Sequence, residues 1–180
     1  MVLLHGAGTD TSAAPLPRLA EFLTAAGMAA VRFDQPYATV GGRRPPDRAP
    51  ILDATLLAAL PDLRPYATRN APLAFVGRSS GARVACRTAR AAGAVAVVCL
   101  GFPLVPPRSA RGAVRPDRAG ELQEAARAVP VLVLQGDRDP FGMPTPSPGL
   151  RIEAYPGVGH TPTAAMAARA AEWLQSLLVG

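Results

Sequence analysis

The sequence predicts a single α/β domain built on a mostly parallel, doubly wound sheet of about six strands. Short apolar runs of strand length alternate along the chain with amphipathic stretches of helical length. The apolar runs lack strict polar–apolar alternation, which is typical of strands covered by helices on both faces. The 180 residues suffice for one large core, and no repeat or long insertion marks a second domain or a cap. We therefore treat residues 1–180 as one domain.

The strands are predicted from aliphatic runs that end in glycine, proline or charged residues. In chain order they are Val2–Leu4, Ala29–Phe33, Leu73–Val76, Val95–Leu100, Val131–Leu134 and Leu150–Ala154. Strands joined through helices pair in parallel with right-handed crossovers, and the expected sheet order is two-one-three-four-five-six. Strand two should therefore lie at an edge of the sheet.

The helices are predicted from apolar residues at helical spacing, as in Leu16, Leu19 and Leu23. In chain order they are Pro15–Ala26, Ile51–Leu60, Ser80–Ala92, Asp117–Ala128 and Thr163–Leu178. Two long loops rich in proline, glycine and arginine are expected at 35–50 and 101–116.

The most informative motif is G-x-S-x-G, formed by Gly77, Ser79 and Gly81. It follows an apolar strand and opens an Ala-rich helix, which is the context in which such a serine stands exposed on a sharp turn. The strand and helix pack closely there, so side chains at the two glycines would collide with the backbone. Ser79 is the candidate nucleophile. Ser80 is better explained as a residue that starts the helix.

A serine nucleophile needs a general base, and the chain has only two histidines. His160 lies after the last strand and is the candidate base, with Asp139 after strand five as the acid that orients it. Asp137 and, less favoured, Asp34 are alternative acids. The order serine, aspartate, histidine matches a known arrangement of such sites. His5 is expected to hold the neighbouring loop in place by hydrogen bonding.

Two backbone N–H groups are expected to stabilise a developing oxyanion. One belongs to Ser80, the residue after the nucleophile, and the other comes from the loop after strand one, from Ala7 or, less favoured, Gly8.

The formal charge of +6 does not predict nucleic-acid binding. All 19 basic residues are arginine, they are scattered along the chain, and aromatic residues make up only 5%. No apolar run has the length of a membrane span, and the N-terminus lacks the features of a signal peptide, so a cytoplasmic protein without membrane contact is expected.

The chemistry-bearing residues indicate no cofactor and no metal. The absence of lysine excludes a P-loop lysine and a Schiff-base lysine. Two histidines and two cysteines at wide spacing make no metal site. Cys86 and Cys99 lie in apolar contexts and are expected to be buried, reduced thiols.

Several segments together resemble the α/β-hydrolase superfamily, and within it a small dienelactone-hydrolase-like family. The matching segments are 5–8, 31–37, 43–47, 77–79, 99–104, 105–107 and 135–142, the first of which reads His5-Gly6-Ala7-Gly8. Eukaryotic relatives of that family include a testis-expressed protein and a subunit of a histone acetyltransferase complex. The resemblance implies an α/β-hydrolase fold and hydrolysis of a small acyl substrate.

The chain departs from the family pattern in three places. Ser80 stands where the family often has methionine, and the sequence around His160 is variable in the family. The family also has further residues before its first strand, and larger hydrolases have two more outer strands there.

The substrate is expected to be a small ester, lactone or related acyl compound. Phe102 and Leu104 follow strand four and are candidates to line an acyl pocket. Arg43, Arg44 and Arg78 are candidates to hold a carboxylate or phosphate, although solvated arginines remain an alternative. The loop from Gly41 to Asp47 is a candidate gate.

Two functions from different classes remain open on the sequence alone. The first is a serine hydrolase that works through an acyl-enzyme. The second is a catalytically weak or inactive interaction module that retains the catalytic residues without using them. The relative that is a subunit of a histone acetyltransferase complex suggests this alternative.

Overall fold

A six-stranded parallel sheet forms the centre of the protein in the computed structural model, which describes residues 1–40, 44–68, 70–105 and 117–178. The strands are β1 (Val2–Leu4), β2 (Val31–Phe33), β3 (Ala74–Arg78), β4 (Ala96–Leu100), β5 (Val131–Gly136) and β6 (Leu150–Tyr155). Their order is β2-β1-β3-β4-β5-β6, and every neighbouring pair is parallel. This confirms the predicted fold class and strand order.

Helices cover both faces of the sheet. They are α1 (Leu16–Ala25), α2 (Pro36–Thr39), α3 (Ala49–Leu63), α4 (Ser80–Ala92), α5 (Ala119–Ala128) and α6 (Ala164–Leu178), with a 3-10 turn at Arg64–Tyr66. None of those in the described ranges combines the length and apolar character that crossing a bilayer requires.

The hydrophobic core has two layers because successive side chains on a strand point to opposite faces. Leu4 and Phe75 belong to the layer beneath α3, α4 and α5. Leu3 and Val76 belong to the layer beneath α1 and α6. All four side chains are fully buried.

Several predicted boundaries are wrong by a few residues. The expected loop 35–50 contains the short helix α2. The last two residues of that range already belong to α3, because Pro50 is tolerated in the first turn of a helix. Strand β5 continues beyond the apolar run to Gly136, because the backbones of Gln135 and Gly136 still pair with β6. Helix α5 begins at Ala119, whose N–H donates to the Asp117 carboxylate.

The carboxyl ends of β1, β3, β5 and β6 meet at one rim of the sheet, since all the strands run in the same direction. This rim is where ligands bind in doubly wound sheets. The residues predicted to carry chemistry follow these four strands, and no cap domain is among the described elements.

Candidate active site

Ser79 lies on the turn between β3 and α4 in a conformation that few non-glycine residues adopt. Its φ is 51° and its ψ is −114°. The turn brings β3 and α4 so close that a Cβ on Gly77 would collide with the backbone of Ala82, and one on Gly81 with the backbone of Leu4. The two glycines therefore allow the strained turn that raises the Ser79 side chain above the sheet.

A continuous chain of hydrogen bonds joins Ser79 to His160 and Asp139. The Ser79 Oγ lies 2.8 Å from His160 Nε2, and His160 Nδ1 lies 2.8 Å from Asp139 Oδ2. A carboxylate can only accept, so Nδ1 carries the proton and Nε2 is left free to accept from the serine hydroxyl. This is the arrangement that a general base for Ser79 requires.

The His160 ring is held by close packing as well as by its two hydrogen bonds. It packs against the Phe141 ring in a T-shaped arrangement, with the centroids 4.4 Å apart. Gly101 lies behind it, where a Cβ would come 3.2 Å from the His160 carbonyl oxygen and 3.6 Å from Nδ1. About a fifth of the His160 side chain remains exposed (21%), so a substrate can reach it.

Asp139 is buried and accepts hydrogen bonds at both oxygens. Besides His160, Oδ2 accepts from the Gln135 amide at 2.9 Å, and Oδ1 accepts from the Phe141 backbone N–H at 2.9 Å. Gln135 is itself fixed, since its Oε1 accepts from the Phe102 N–H at 2.8 Å. These contacts set the carboxylate in one orientation.

The loop after β1 lies against the nucleophile. A Cβ on Gly6 would come 3.3 Å from Ser79 Cβ, so only glycine fits comfortably at this approach. Ala7, which follows, is exposed. Ser80 is the first residue of α4, and the first N–H groups of a helix have no acceptor within it. Ser79 therefore lies between Ser80, its neighbour in the chain, and the loop that carries Ala7.

His5 is fully buried behind this loop, as expected of a structural residue. Its Nε2 accepts from the Gln35 backbone N–H at 3.0 Å, so the proton lies on Nδ1, which donates to the Gly6 carbonyl at 2.9 Å.

The alternative acids lie elsewhere. Asp137 is exposed and accepts from the Gly157 N–H at 2.7 Å. Asp34 accepts from the Thr11 N–H at 2.8 Å and lies 3.7 Å from His5 Nε2. Neither contacts His160, so Asp139 alone of the three is placed to orient it.

The candidate substrate residues are scattered. Arg43 lies outside the described residues, and Arg44 is exposed beside a cavity of about 460 Å³ that Tyr37 also lines. Arg78 is half-buried beside Gly6, and its burial lowers the pKa of the guanidinium. Phe102 is fully buried in the core, which argues for a packing role, whereas Leu104 is only partly buried. A binding role for these residues stays a prediction.

Sequence reasoning missed Gln135, Tyr37 and Phe141. Gln135 carried a signal, because it is a polar residue in an otherwise apolar strand and is fully buried. A buried amide of this kind needs hydrogen-bond partners and often supports a site. Tyr37 and Phe141 carried none, since their rings contact histidines that are far away in the sequence, His5 and His160.

Cys86 and Cys99 are buried and free, with 3.6 Å between their Sγ atoms. The hydrogen bond with Cys86, together with burial, raises the pKa of the Cys99 thiol. In the described part of the chain, no group of three or more histidine, cysteine or acidic side chains is placed to hold a metal ion.

Comparison with known proteins gives a family match over most of the chain. A model of the alpha/beta hydrolase domain matches residues 1–154. No curated protein matches the sequence closely enough to count as a relative.

Solved structures share the fold at low sequence identity. TT1662 from Thermus thermophilus superimposes with a TM-score of 0.72 at 23% identity, over 99% of this chain and 88% of that protein. A dienelactone hydrolase from Anabaena variabilis gives 0.69 at 20%, over 97% and 84%. A monoacylglycerol lipase from Paleococcus ferrophilus gives 0.68 at 18%, over 97% and 93%. The chain therefore belongs to the alpha/beta hydrolase domain family, and its fold is that of a hydrolase.

Proposed function

We propose that the protein is a serine hydrolase that cleaves a small carboxylic ester or lactone through an acyl-enzyme on Ser79. The observation that carries this proposal is the hydrogen-bond chain from Ser79 Oγ through His160 to Asp139, with both links at 2.8 Å. A serine that only shapes a turn has no need of a histidine at this distance, oriented by a buried carboxylate.

In the first half of the reaction, Ser79 Oγ attacks the carbonyl carbon of the ester while its proton passes to His160 Nε2. The tetrahedral intermediate collapses and the proton moves from His160 to the leaving oxygen, so that the alcohol of an ester departs and that of a lactone stays attached to the opened acyl chain. Water then attacks the acyl-enzyme and gives its proton to the same nitrogen. The acid product leaves and Ser79 regains its proton, so that atoms and charges balance over the cycle.

Asp139 serves this cycle by keeping the His160 proton on Nδ1 and by stabilising the imidazolium that forms in each half-reaction. It remains a carboxylate throughout. The contacts from Gln135 and Phe141 hold it in the orientation that the hydrogen bond to His160 requires.

The negative charge on the substrate oxygen would be met by the N–H groups of Ala7 and Ser80. Both belong to backbone segments packed beside Ser79, and the Ser80 N–H also lies at the positive end of the α4 dipole. A preorganised pair of such donors is a large part of catalysis in acyl transfer.

The open rim supports a small, accessible acyl substrate, since no cap is among the described elements. An apolar cavity of about 520 Å³ is not part of this site, because it lies at the amino ends of β1–β3, beside Val2, Val31 and Leu73. The fold is shared with a dienelactone hydrolase and a monoacylglycerol lipase, which supports esters and lactones as the first compounds to test.

The decisive experiment combines a covalent probe with a single substitution. A fluorophosphonate should label the wild-type protein, and mass spectrometry of the modified peptide should place the label on Ser79 and not on Ser80. Ser79→Ala should lose labelling and lower kcat for a short p-nitrophenyl ester by at least about a thousandfold.

Ser176→Ala is the matched control, since Ser176 is exposed on α6 and, among the described residues, its hydroxyl bonds only to the Trp173 carbonyl. It should keep both labelling and turnover. A folded wild-type protein that is neither labelled nor active on esters would overturn the proposal and favour the interaction module.

A further inference from the structure

Three side-chain donors converge on one carbonyl oxygen in the loop beside Ser79. The Gly6 oxygen accepts from Thr9 Oγ1 at 2.8 Å, from His5 Nδ1 at 2.9 Å and from the Tyr37 hydroxyl at 3.0 Å. A carbonyl oxygen has two lone pairs, so three donors saturate it. One bond would be enough to anchor an ordinary loop.

The position of the Gly6 carbonyl explains why three hydrogen bonds to it matter for the site. The Gly6 C=O and the Ala7 N–H belong to the same planar peptide unit and point in opposite directions. Fixing the oxygen on the buried side therefore fixes the direction of the Ala7 N–H. Within the described ranges that N–H has no hydrogen-bond acceptor, and a Cβ on the preceding Gly6 would come 3.3 Å from Ser79 Cβ.

Two of the three donors, His5 and Tyr37, are themselves held in place by further contacts. His5 is locked by Gln35, whose backbone N–H donates to Nε2 at 3.0 Å and whose side-chain amide donates to the His5 carbonyl at 2.7 Å. The Tyr37 ring is buried and packs edge-on against the His5 ring, with centroids 5.5 Å apart. The donors thus come from the loop after β1 and from α2, with His5 and Tyr37 buried and Thr9 partly buried.

We propose that Thr9 and Tyr37, together with His5, are positioning residues that aim and polarise the Ala7 N–H as an oxyanion donor. This rests on the proposed function of Ser79. Hydrogen bonds to the oxygen of a peptide draw electron density away from its nitrogen and strengthen the N–H as a donor. They also oppose rotation of the peptide, so the donor needs no reorganisation when charge appears on the substrate.

The test removes the hydroxyls one at a time in the whole protein. Direct loss of an oxyanion donor costs about 10²–10³ in kcat, so losing one of three orienting bonds should cost roughly fivefold to tenfold in Tyr37→Phe and in Thr9→Val. The double variant should lose more than either, and KM for a short p-nitrophenyl ester should stay within about twofold because only the transition state is affected.

A second readout separates positioning from mere structural support. A trifluoromethyl ketone forms a tetrahedral adduct with a serine, and its oxygen occupies the place of the substrate oxyanion. Its inhibition constant should rise in each variant by the same factor by which kcat/KM falls. Thr9→Ser, which keeps the hydroxyl, should restore both quantities to near the wild-type values.

The matched controls are Tyr66→Phe, at an exposed tyrosine, and Thr88→Val, which removes a buried hydroxyl bond to the Val84 carbonyl on α4. Thr88→Val should lower Tm while leaving kcat near wild type. Tyr37→Phe and Thr9→Val with full kcat and unchanged inhibition would overturn the positioning proposal alone, because fluorophosphonate labelling of Ser79 stands apart from it. Absence of that labelling would overturn both proposals together.

Discussion

At the scale of single residues, Gln135 and Asp139 show how one buried amide can determine the direction of a carboxylate. The Gln135 amide nitrogen donates to Asp139 Oδ2 at 2.9 Å and also contacts the carbonyls of Phe102 and Gly142. The amide therefore ties the ends of β4 and β5 to the loop that carries Asp139. Since Asp139 accepts at both oxygens, it has little freedom to turn away from His160.

The paired aspartates of this loop give a test with an internal control. In Asp139→Asn the amide cannot hold the His160 proton on Nδ1 in the same way, so kcat for ester hydrolysis should fall by about 10³–10⁴-fold. In Asp137→Asn, two residues away, the exposed side chain loses only a charge and kcat should stay close to wild type. Steady-state kinetics and thermal melting of both variants check this.

The reverse pattern, with activity lost in Asp137→Asn and kept in Asp139→Asn, would show that Asp139 is not the acid that orients His160. A similar Tm for the two variants is needed for the comparison, and the conservative change from carboxylate to amide should provide it.

At the scale of elements, the junction of β3 and α4 leaves no room for a side chain at either of its glycines. A Cβ on Gly77 would meet the backbone of Ala82, which belongs to the helix and cannot move aside alone. The local pattern of strand, glycine, serine, glycine and helix was therefore sufficient to predict where Ser79 would be raised above the sheet. The Ser79 φ of 51° is the conformational cost of that geometry.

Gly77→Ala should separate this constraint from the ordinary effect of replacing glycine. The overlap with Ala82 should lower the free energy of unfolding by about 3 kcal/mol or more, or prevent folding. Gly120→Ala, at a helical glycine whose Cβ would meet nothing within 4 Å, should raise it by about 0.5–1 kcal/mol. Urea denaturation of each variant gives the two values, and an equal effect at both sites would contradict the packing argument.

Features that depend on local pattern were predictable from the sequence, and features that depend on distant pairs were not. Strand order follows from alternation and handedness, and the positions of Ser79, Asp139 and His160 follow from the ends of strands. By contrast, Tyr37 meets a carbonyl 31 residues away, and Gln135 meets a backbone N–H 33 residues away. No local periodicity indicates which buried polar groups will satisfy each other across the sheet.

At the scale of the whole molecule, the arginine excess contributes to the packing of helices. Arg87 on α4 pairs with Asp53 on α3 at 2.7 Å and with Glu121 on α5 at 3.4 Å. Arg169 on α6 pairs with Glu153 on β6 at 2.8 Å. These groups are largely buried, so part of the basic composition links neighbouring elements and does not form a binding face.

The alkaline limit of stability offers a prediction for the molecule as a whole. Burial raises the pKa of Tyr37 to about 12, against 10.0 for a free tyrosine. The folded protein therefore keeps this proton in a range where the unfolded chain releases it. The stability that comes from the neutral hydroxyl is fully present below pH 10 and is lost as the pH rises through about 12.

Wild type should therefore lose more stability between pH 9.5 and pH 11.5 than Tyr37→Phe does, a difference on the order of 1 kcal/mol after allowance for solvent screening. The comparison is made within each variant, from urea midpoints at the two values of pH, so that the constant cost of removing the hydroxyl cancels. Ionisation of the other tyrosines contributes equally to both proteins. Equal losses in the two proteins would mean that the Tyr37 hydroxyl is solvated, and its bond to the Gly6 carbonyl would then be too weak to orient the loop beside Ser79.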